Sequence, residues 1–273
     1  MQFEAKRDQL LSQLSSWPSL AVAFSGGVDS SVLLHAAHSA LGDHAVGVIA
    51  DSPSLPRREL ALARRVAGQI GAILEVVSTT ELEDARYVIN AGDRCYFCKS
   101  ALFDAMDLVR ARRGIERCAF GEIVDDANDD RPGARAARER GVRAPLADAG
   151  FTKDDVRHYA ELVGLEVAHK PASACLASRI PVGTVVTREG LAQVERAEAD
   201  LAALGLRVLR VRHHGQRARL EVGPGELAWA RAHAGEVEAC LNAAGFAEWE
   251  LMRYVTPGNR GPEADLDLPI VRP

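Results

Sequence analysis

The most constraining stretch of the chain is residues 20–34, which read LAVAFSGGVDSSVLL. An apolar run ends in Ser25-Gly26-Gly27-Val28-Asp29-Ser30, and a second apolar run follows at once. This order predicts a buried strand, a tight glycine turn and a helix. Backbone N–H groups of such a turn, together with the positive end of the new helix, favour a phosphate. Gly26 and Gly27 let the backbone approach an anion without Cβ obstruction. Ser25 and Ser30 add hydroxyl donors, and Asp29 is suited to orient a Mg2+ ion bound to phosphate.

The loop is not a Walker A loop, because no Gly-Lys-Ser/Thr follows, and it lacks the GxGxxG of a dinucleotide fingerprint. SGGxDS behind a strand resembles the PP-loop of the ATP pyrophosphatase superfamily. That resemblance implies a β,γ-pyrophosphate held by Ser25, Gly26, Gly27, Val28, Asp29 and Ser30. The α-phosphorus then stays open to attack, and a substrate is adenylated with release of pyrophosphate.

Strand-like and helix-like runs alternate through the first two thirds of the chain. Strands are predicted at residues 20–24, 45–50, 73–77 and 117–121, and helices at 28–41, 57–71 and 99–113. This is the pattern of an α/β fold, a doubly wound and mostly parallel sheet with helices on both faces. Its ligand belongs beyond the carboxyl ends of the strands, where the glycine turn and Asp51 fall. Phe3, Leu10, Leu11 and Leu14 fit one face of an N-terminal helix. Thr152, with Asp155 three residues on, predicts a capped helix that Gly164 ends. Residues 168–183 then read as a long loop of the functional kind. After Gly183 the pattern changes to a short strand near residues 184–187, a helix at 188–204, strands at 208–212 and 217–222, a helix at 226–244 and a strand at 247–255. That βαββαβ order is expected to form a ferredoxin-like unit. The expected domains are therefore residues 1–183 and 184–255, with a poorly ordered Pro-, Gly- and Asp-rich tail at 256–273.

No apolar run approaches the roughly 20 residues of a membrane span, and the N-terminus lacks the apolar core of a signal peptide. A cytoplasmic protein is expected. The net charge of −5 argues against a nucleic-acid surface, although arginines cluster at Arg207, Arg210, Arg212, Arg217 and Arg219.

Five cysteines in such a chain are thiols or metal ligands rather than a disulfide framework. Cys95 and Cys98 form one CxxC, which by itself fits a redox pair, half a metal site or two unrelated thiols. No second CxxC exists, which argues against a four-cysteine zinc site. Cys175 lies in the long loop, and all three are expected in polar loops near the ATP site. Three thiolates are one short of an ordinary [4Fe–4S] set and would leave one iron open. Cys175 is alternatively a nucleophile in its own right. Cys118 and Cys240 are read as core residues, and His213 and His214 as surface or core residues.

Taken together, AFSGGVDSSVLL, DRCYFCKSALF, GEIVDDANDDRPGARAARERGVRAPL, FTKDDVR, ACLASRIPVG and the VLRVRHH…ARLEV pair resemble the LarE family over nearly the whole chain. These are the ATP-dependent sulfur transferases of nickel-pincer nucleotide biosynthesis. The resemblance implies adenylation of a carboxylate on a pyridinium dicarboxylate mononucleotide, followed by displacement of AMP by sulfur. Members with a single active-site cysteine give up its sulfur, whereas members with three resemble [4Fe–4S] enzymes. This chain has the three-cysteine pattern, so Cys95, Cys98 and Cys175 are expected to carry a cluster that takes sulfide from a sulfur donor. Ser178 and Arg179 map beside the active-site cysteine, with Arg179 expected to grip a substrate anion. Arg210 and Arg212 share a strand face suited to a substrate phosphate. Glu122, Asp125 and Asp126 follow the fourth strand, and Lys99 follows the CxxC. A homohexamer is implied as well. A tRNA-thiolating enzyme, an ATP-dependent amidating enzyme and a non-catalytic nucleotide-binding regulator are the competing readings.

Overall fold

The computed structural model describes residues 2–126, 132–171 and 173–255. The chain divides into two compact units, the first ending at Ala174 and the second starting at Cys175. The expected tail at 256–273 lies outside the described residues.

The first unit runs α1 (Phe3–Ser15), β1 (Leu20–Ala23), α2 (Val28–Leu41), β2 (Ala45–Asp51), α3 (Arg57–Ile70), β3 (Ile73–Ser78), α4 (Ala85–Ile89), α5 (Arg94–Arg113), β4 (Arg117–Phe120), α6 (Pro132–Glu139), α7 (Pro145–Asp148) and α8 (Lys153–Leu162). The four strands form one parallel sheet in the order β3-β2-β1-β4. Strand alternation divides the core into two layers. Leu20 and Val22 of β1 point into a cluster with Leu10, Leu14, Val32, Val66 and Val156. Ala21 and Ala23 point the other way, among Val46, Val48, Phe103 and Met106. Helices α1, α2, α3 and α8 therefore cover one face and α5 and α6 the other, as a doubly wound sheet requires.

The chain leaves β1 for β2 on one side and returns to β4 on the other, so the switch point lies between β1 and β4. In open α/β sheets that crevice is where ligands bind.

Thr152 and Asp155 form the expected capping box, with Thr152 N donating to Asp155 at 2.9 Å and Asp155 N to Thr152 Oγ1 at 3.2 Å. Lys6 of α1 adds an ion pair to the same carboxylate at 2.5 Å, which ties the N-terminal helix to the head of α8.

The second unit contains a 3-10 turn at Leu176–Arg179, then α9 (Arg188–Ala203), β5 (Leu209–His214), β6 (Arg217–Val222), α10 (Leu227–Ala232), α11 (Ala234–Ala244) and β7 (Glu248–Arg253). Its sheet order is β5-β6-β7, antiparallel for the first pair and parallel for the second. This corrects the ferredoxin-like expectation, which needs a fourth strand and antiparallel neighbours throughout. Residues 184–187 form no strand: Val182 and Val185 are exposed, and Thr187 instead caps α9 by accepting from Gly190 N at 3.0 Å. The single helix expected at 226–244 is broken at His233, whose φ of −110° and ψ of +30° are not helical. Among the described residues, no helix is long and apolar enough to cross a membrane.

Candidate active site

The glycine turn sits at the switch point. Gly26 has φ +68°, and a Cβ there would stand 2.9 Å from both Cα and Cβ of Ala63 on α3. Only glycine meets both demands. The turn is held by its own hydroxyls. Ser30 Oγ accepts from Ser25 N at 3.2 Å, donates to the Gly27 carbonyl at 3.1 Å and stands 3.1 Å from Ser25 Oγ. Gly27 N donates to Ser25 Oγ at 3.3 Å. Val28 starts α2 and buries its side chain, so what it offers the turn is a first-turn N–H. Across the crevice, a Cβ on Gly121 would lie 2.9 Å from Ser30 N. Glycine at the end of β4 thus lets that chain lie against the head of α2.

A cavity of about 410 Å³ opens there, lined by Ser25, Asp29 and Ser30 from the turn, Phe120, Gly121, Glu122 and Asp126 from the β4 exit, and Cys95 and Lys99 from α5. The glycine turn and the first cysteine of the CxxC therefore face one space. Cys95 and Cys98 lie in the first turns of α5 rather than in a loop, because that helix begins at Arg94 instead of Lys99. Cys95 is exposed and Cys98 half-buried, one turn apart on the same helix side. Tyr96 between them donates to Glu139 of α6 at 2.5 Å, and Arg135 lies 4.7 Å over its ring. A Cβ on Gly133 would meet Lys99 Cγ at 3.1 Å. The head of α6 thus packs directly on the cysteine turn.

Two lysines enter the site from distant sequence. Lys153 Nζ donates to both oxygens of Asp29, at 2.6 and 2.7 Å, while Lys153 N donates to Asp125 at 2.6 Å. Lys170 Nζ donates to the Gly26 carbonyl at 3.2 Å and to Glu59 at 2.5 Å. Asp51 does not line the cavity; its carboxylate pairs with Arg57 at the head of α3.

In the second unit, Cys175 precedes the 3-10 turn. Its carbonyl accepts from Ser178 Oγ at 2.7 Å and from Arg179 Nη1 at 3.0 Å. Arg179 is fully buried, and its fork grips Glu198 of α9 at 2.8 and 3.0 Å. Glu198 also accepts from Val211 N of β5 at 3.0 Å. The expectation that Arg179 holds a substrate anion gives way to this geometry: the guanidinium faces inward and fixes the cysteine turn to α9 and β5. Arg212 donates to Glu221 at 3.0 and 2.9 Å and to the Ser178 carbonyl at 2.8 Å. Arg210 shares its strand face and lies 5.4 Å over the Tyr254 ring. Burial, then the nearby Arg179 charge, lower the Arg210 pKa.

No protein-family model matches the chain. An uncharacterised protein of Synechocystis is 37% identical over 265 residues, covering 93% of this chain and 99% of the relative. An uncharacterised protein of Methanocaldococcus jannaschii is 26% identical over 206 residues, covering 74% and 77%. A Lactiplantibacillus plantarum protein is 34% identical over 252 residues, covering 92% of this chain and 89% of its own length. Its name is pyridinium-3,5-bisthiocarboxylic acid mononucleotide synthase. The chain belongs to the LarE family.

For a LarE-family chain, the cavity gathers most of the residues expected on the nucleotide side. Within the second unit, Ser178, Arg179 and Arg212 are joined to the Cys175 turn by hydrogen bonds. Lys153, Lys170 and Glu198 were not expected. The first stands in the capped-helix motif TKDD and the second beside Pro171, but their partners are far off in sequence. Cys118 and Cys240 are half-buried. Burial pushes the Cys118 thiol up to about 11. His213 bonds Gln193 at 3.1 Å, and burial lowers its pKa and that of His214. Among the described residues, no group of three or more His, Cys, Asp or Glu is gathered to hold a metal ion. The cysteine pair on α5 offers soft thiolate donors at a spacing that suits two ligands of one iron–sulfur centre.

Proposed function

We propose that this protein adenylates a carboxylate of pyridinium-3,5-biscarboxylic acid mononucleotide with ATP and replaces the AMP by sulfur. The observation that carries the reading is the shared cavity, in which Ser25, Ser30 and Asp29 meet Cys95 and Lys99. Family membership supplies the substrate class.

The turn at Ser25–Ser30 binds the β,γ-pyrophosphate through backbone N–H groups and the positive end of α2. Asp29, with Glu122 or Asp126, orients the Mg2+ that accompanies the triphosphate. A substrate carboxylate oxygen attacks the α-phosphorus, and the bond to the pyrophosphate oxygen breaks. Lys99 and Lys153 stabilise the charge that develops on the phosphates. A sulfur nucleophile then attacks the acyl carbon, and AMP leaves with the electron pair of the broken C–O bond. Ser178, Arg210 and Arg212 bind the nucleotide substrate's own phosphate. Arg179 serves as a positioning residue behind Cys175.

Cys95, Cys98 and Cys175 would hold a [4Fe–4S] cluster, which would supply sulfide taken from an external donor. The protein works in the cytoplasm as a homo-oligomer, a hexamer by family resemblance.

Anaerobic purification tests the carrier. A brown protein with about four irons per chain supports it. A colourless protein whose Cys175 loses H₂S after turnover instead makes Cys175 the sacrificial donor. Pyrophosphate release that depends on the pyridinium substrate tests the adenylation. Selective loss of one thiolated tRNA nucleoside in a deletion strain would move the function to tRNA.

A further inference from the structure

We infer that Lys170 is a positioning residue that couples nucleotide occupancy of the glycine turn to the chain entering Cys175. The inference rests on the turn being the ATP site.

Lys170 lies five residues before Cys175 and Ser173 two before it. The Lys170 ammonium holds the Gly26 carbonyl at 3.2 Å and Glu59 at 2.5 Å. Ser173 Oγ donates to the other Glu59 oxygen at 3.1 Å. Both charged side chains are largely buried, at 16% and 12% exposure. Glu59 stands one helical turn before Ala63, the residue against which Gly26 packs. One face of α3 thus braces the turn at Ala63 and, at Glu59, the Lys170 and Ser173 side chains that precede Cys175 in sequence, with Lys170 bridging the two.

The bridge responds to charge. A lysine ammonium is a point charge with three donors and no fixed fork. A triphosphate in the turn places several negative charges beside the Gly26 carbonyl, which is only a dipole. The ammonium is drawn toward the phosphates, and Glu59 and Ser173 are linked to it. Nucleotide binding therefore tightens the hold on Lys170 and Ser173 and sets the segment from which Cys175 emerges. Adenylation and sulfur delivery must follow in that order, and this link supplies the order.

The test is hydrogen–deuterium exchange of the full-length protein with and without the Mg2+ complex of α,β-methylene ATP. In the wild type, peptides over residues 24–31 and over 167–176 are both expected to slow. The second peptide slows about tenfold, which matches the strength of one charge-assisted hydrogen bond. In Lys170→Met the first peptide still slows and the second does not, while Lys170→Arg retains both. Protection of 24–31 without any change at 167–176 in the wild type overturns the coupling. So does a Lys170→Met protein that keeps it. If neither segment responds in the wild type, the nucleotide reading of the turn has failed and the coupling falls with it, a pattern distinct from the other two.

Discussion

The Lys153 ammonium sits between the two carboxylate oxygens of Asp29, 2.6 and 2.7 Å away, although 123 residues intervene in the chain. Asp29 is in the first turn of α2, and Lys153 is the first residue of α8. The capping box at Thr152 fixes where α8 starts, so it also fixes the lysine at the glycine turn.

Replacing Lys153 by Met removes one charge-assisted partner, worth about 1.5–3 kcal/mol. Substrate-dependent pyrophosphate release is expected to fall at least about tenfold at subsaturating ATP, since roughly 1.4 kcal/mol is a factor of ten. Steady-state kinetics over a range of Mg–ATP concentrations check this. An unchanged kcat/KM for ATP would remove Lys153 from the nucleotide site.

Gly26→Ala forces a side chain into the left-handed region and against Ala63. The two penalties are about 1–2 kcal/mol for the backbone and about 1–3 kcal/mol for overpacking. Thermal unfolding is expected at a lower temperature, and ATP binding measured by calorimetry is expected to be lost. A variant with normal ATP affinity contradicts the tight approach of α3 to the turn.

Arg179 and Glu198 form a buried pair with a two-pronged contact. Glu198→Ala strands a buried guanidinium and is expected to cost about 3–5 kcal/mol. The double variant Arg179→Met/Glu198→Met is expected to lose less than that single one, because no buried charge is left behind. Urea unfolding of the three proteins compares them. A Glu198→Ala variant as stable as wild type would mean that Arg179 reaches solvent.

Cys118 has its thiol pushed up to about 11 by burial, with Asp107 adding to the shift. The thiolate is the reactive form, so in cluster-free protein at pH 8 Cys118 stays protonated and resists alkylation while exposed Cys95 reacts. Peptide mass spectrometry after iodoacetamide treatment checks the order. Cys118 labelling is expected to rise only as the pH climbs toward 11.

Much of this site is legible locally. The strand, turn and helix about Ser25–Ser30 lie where the apolar runs and glycines put them, and α2 has the expected bounds. The Thr152–Asp155 cap is readable because both partners lie within one turn. The rest depends on tertiary neighbours. Arg179 beside a cysteine suggests an anion binder, yet its partner Glu198 comes from a helix that must fold back first. Lys153 and Lys170 meet the turn only once α8 and the segment after it dock. The helix break at His233 and the parallel pairing of β7 likewise leave no periodic signal, since both halves of 226–244 are equally helix-prone. The misplaced CxxC has a simpler cause: polar Arg94 and Asp93 suggest a loop, whereas Asp93 precedes the helix as its N-terminal boundary residue.

At the centre of the proposed function, one protein turns a carboxylate into a thiocarboxylate at the expense of ATP. The direct measurement is an anaerobic incubation of the full-length protein with Mg–ATP, pyridinium-3,5-biscarboxylic acid mononucleotide and a sulfide source, followed by mass spectrometry of the small molecules. The expected result is AMP and pyrophosphate in equal amounts and a product in which sulfur replaces oxygen. ADP and phosphate as products, or AMP formed with no sulfur in the pyridinium compound, would contradict it.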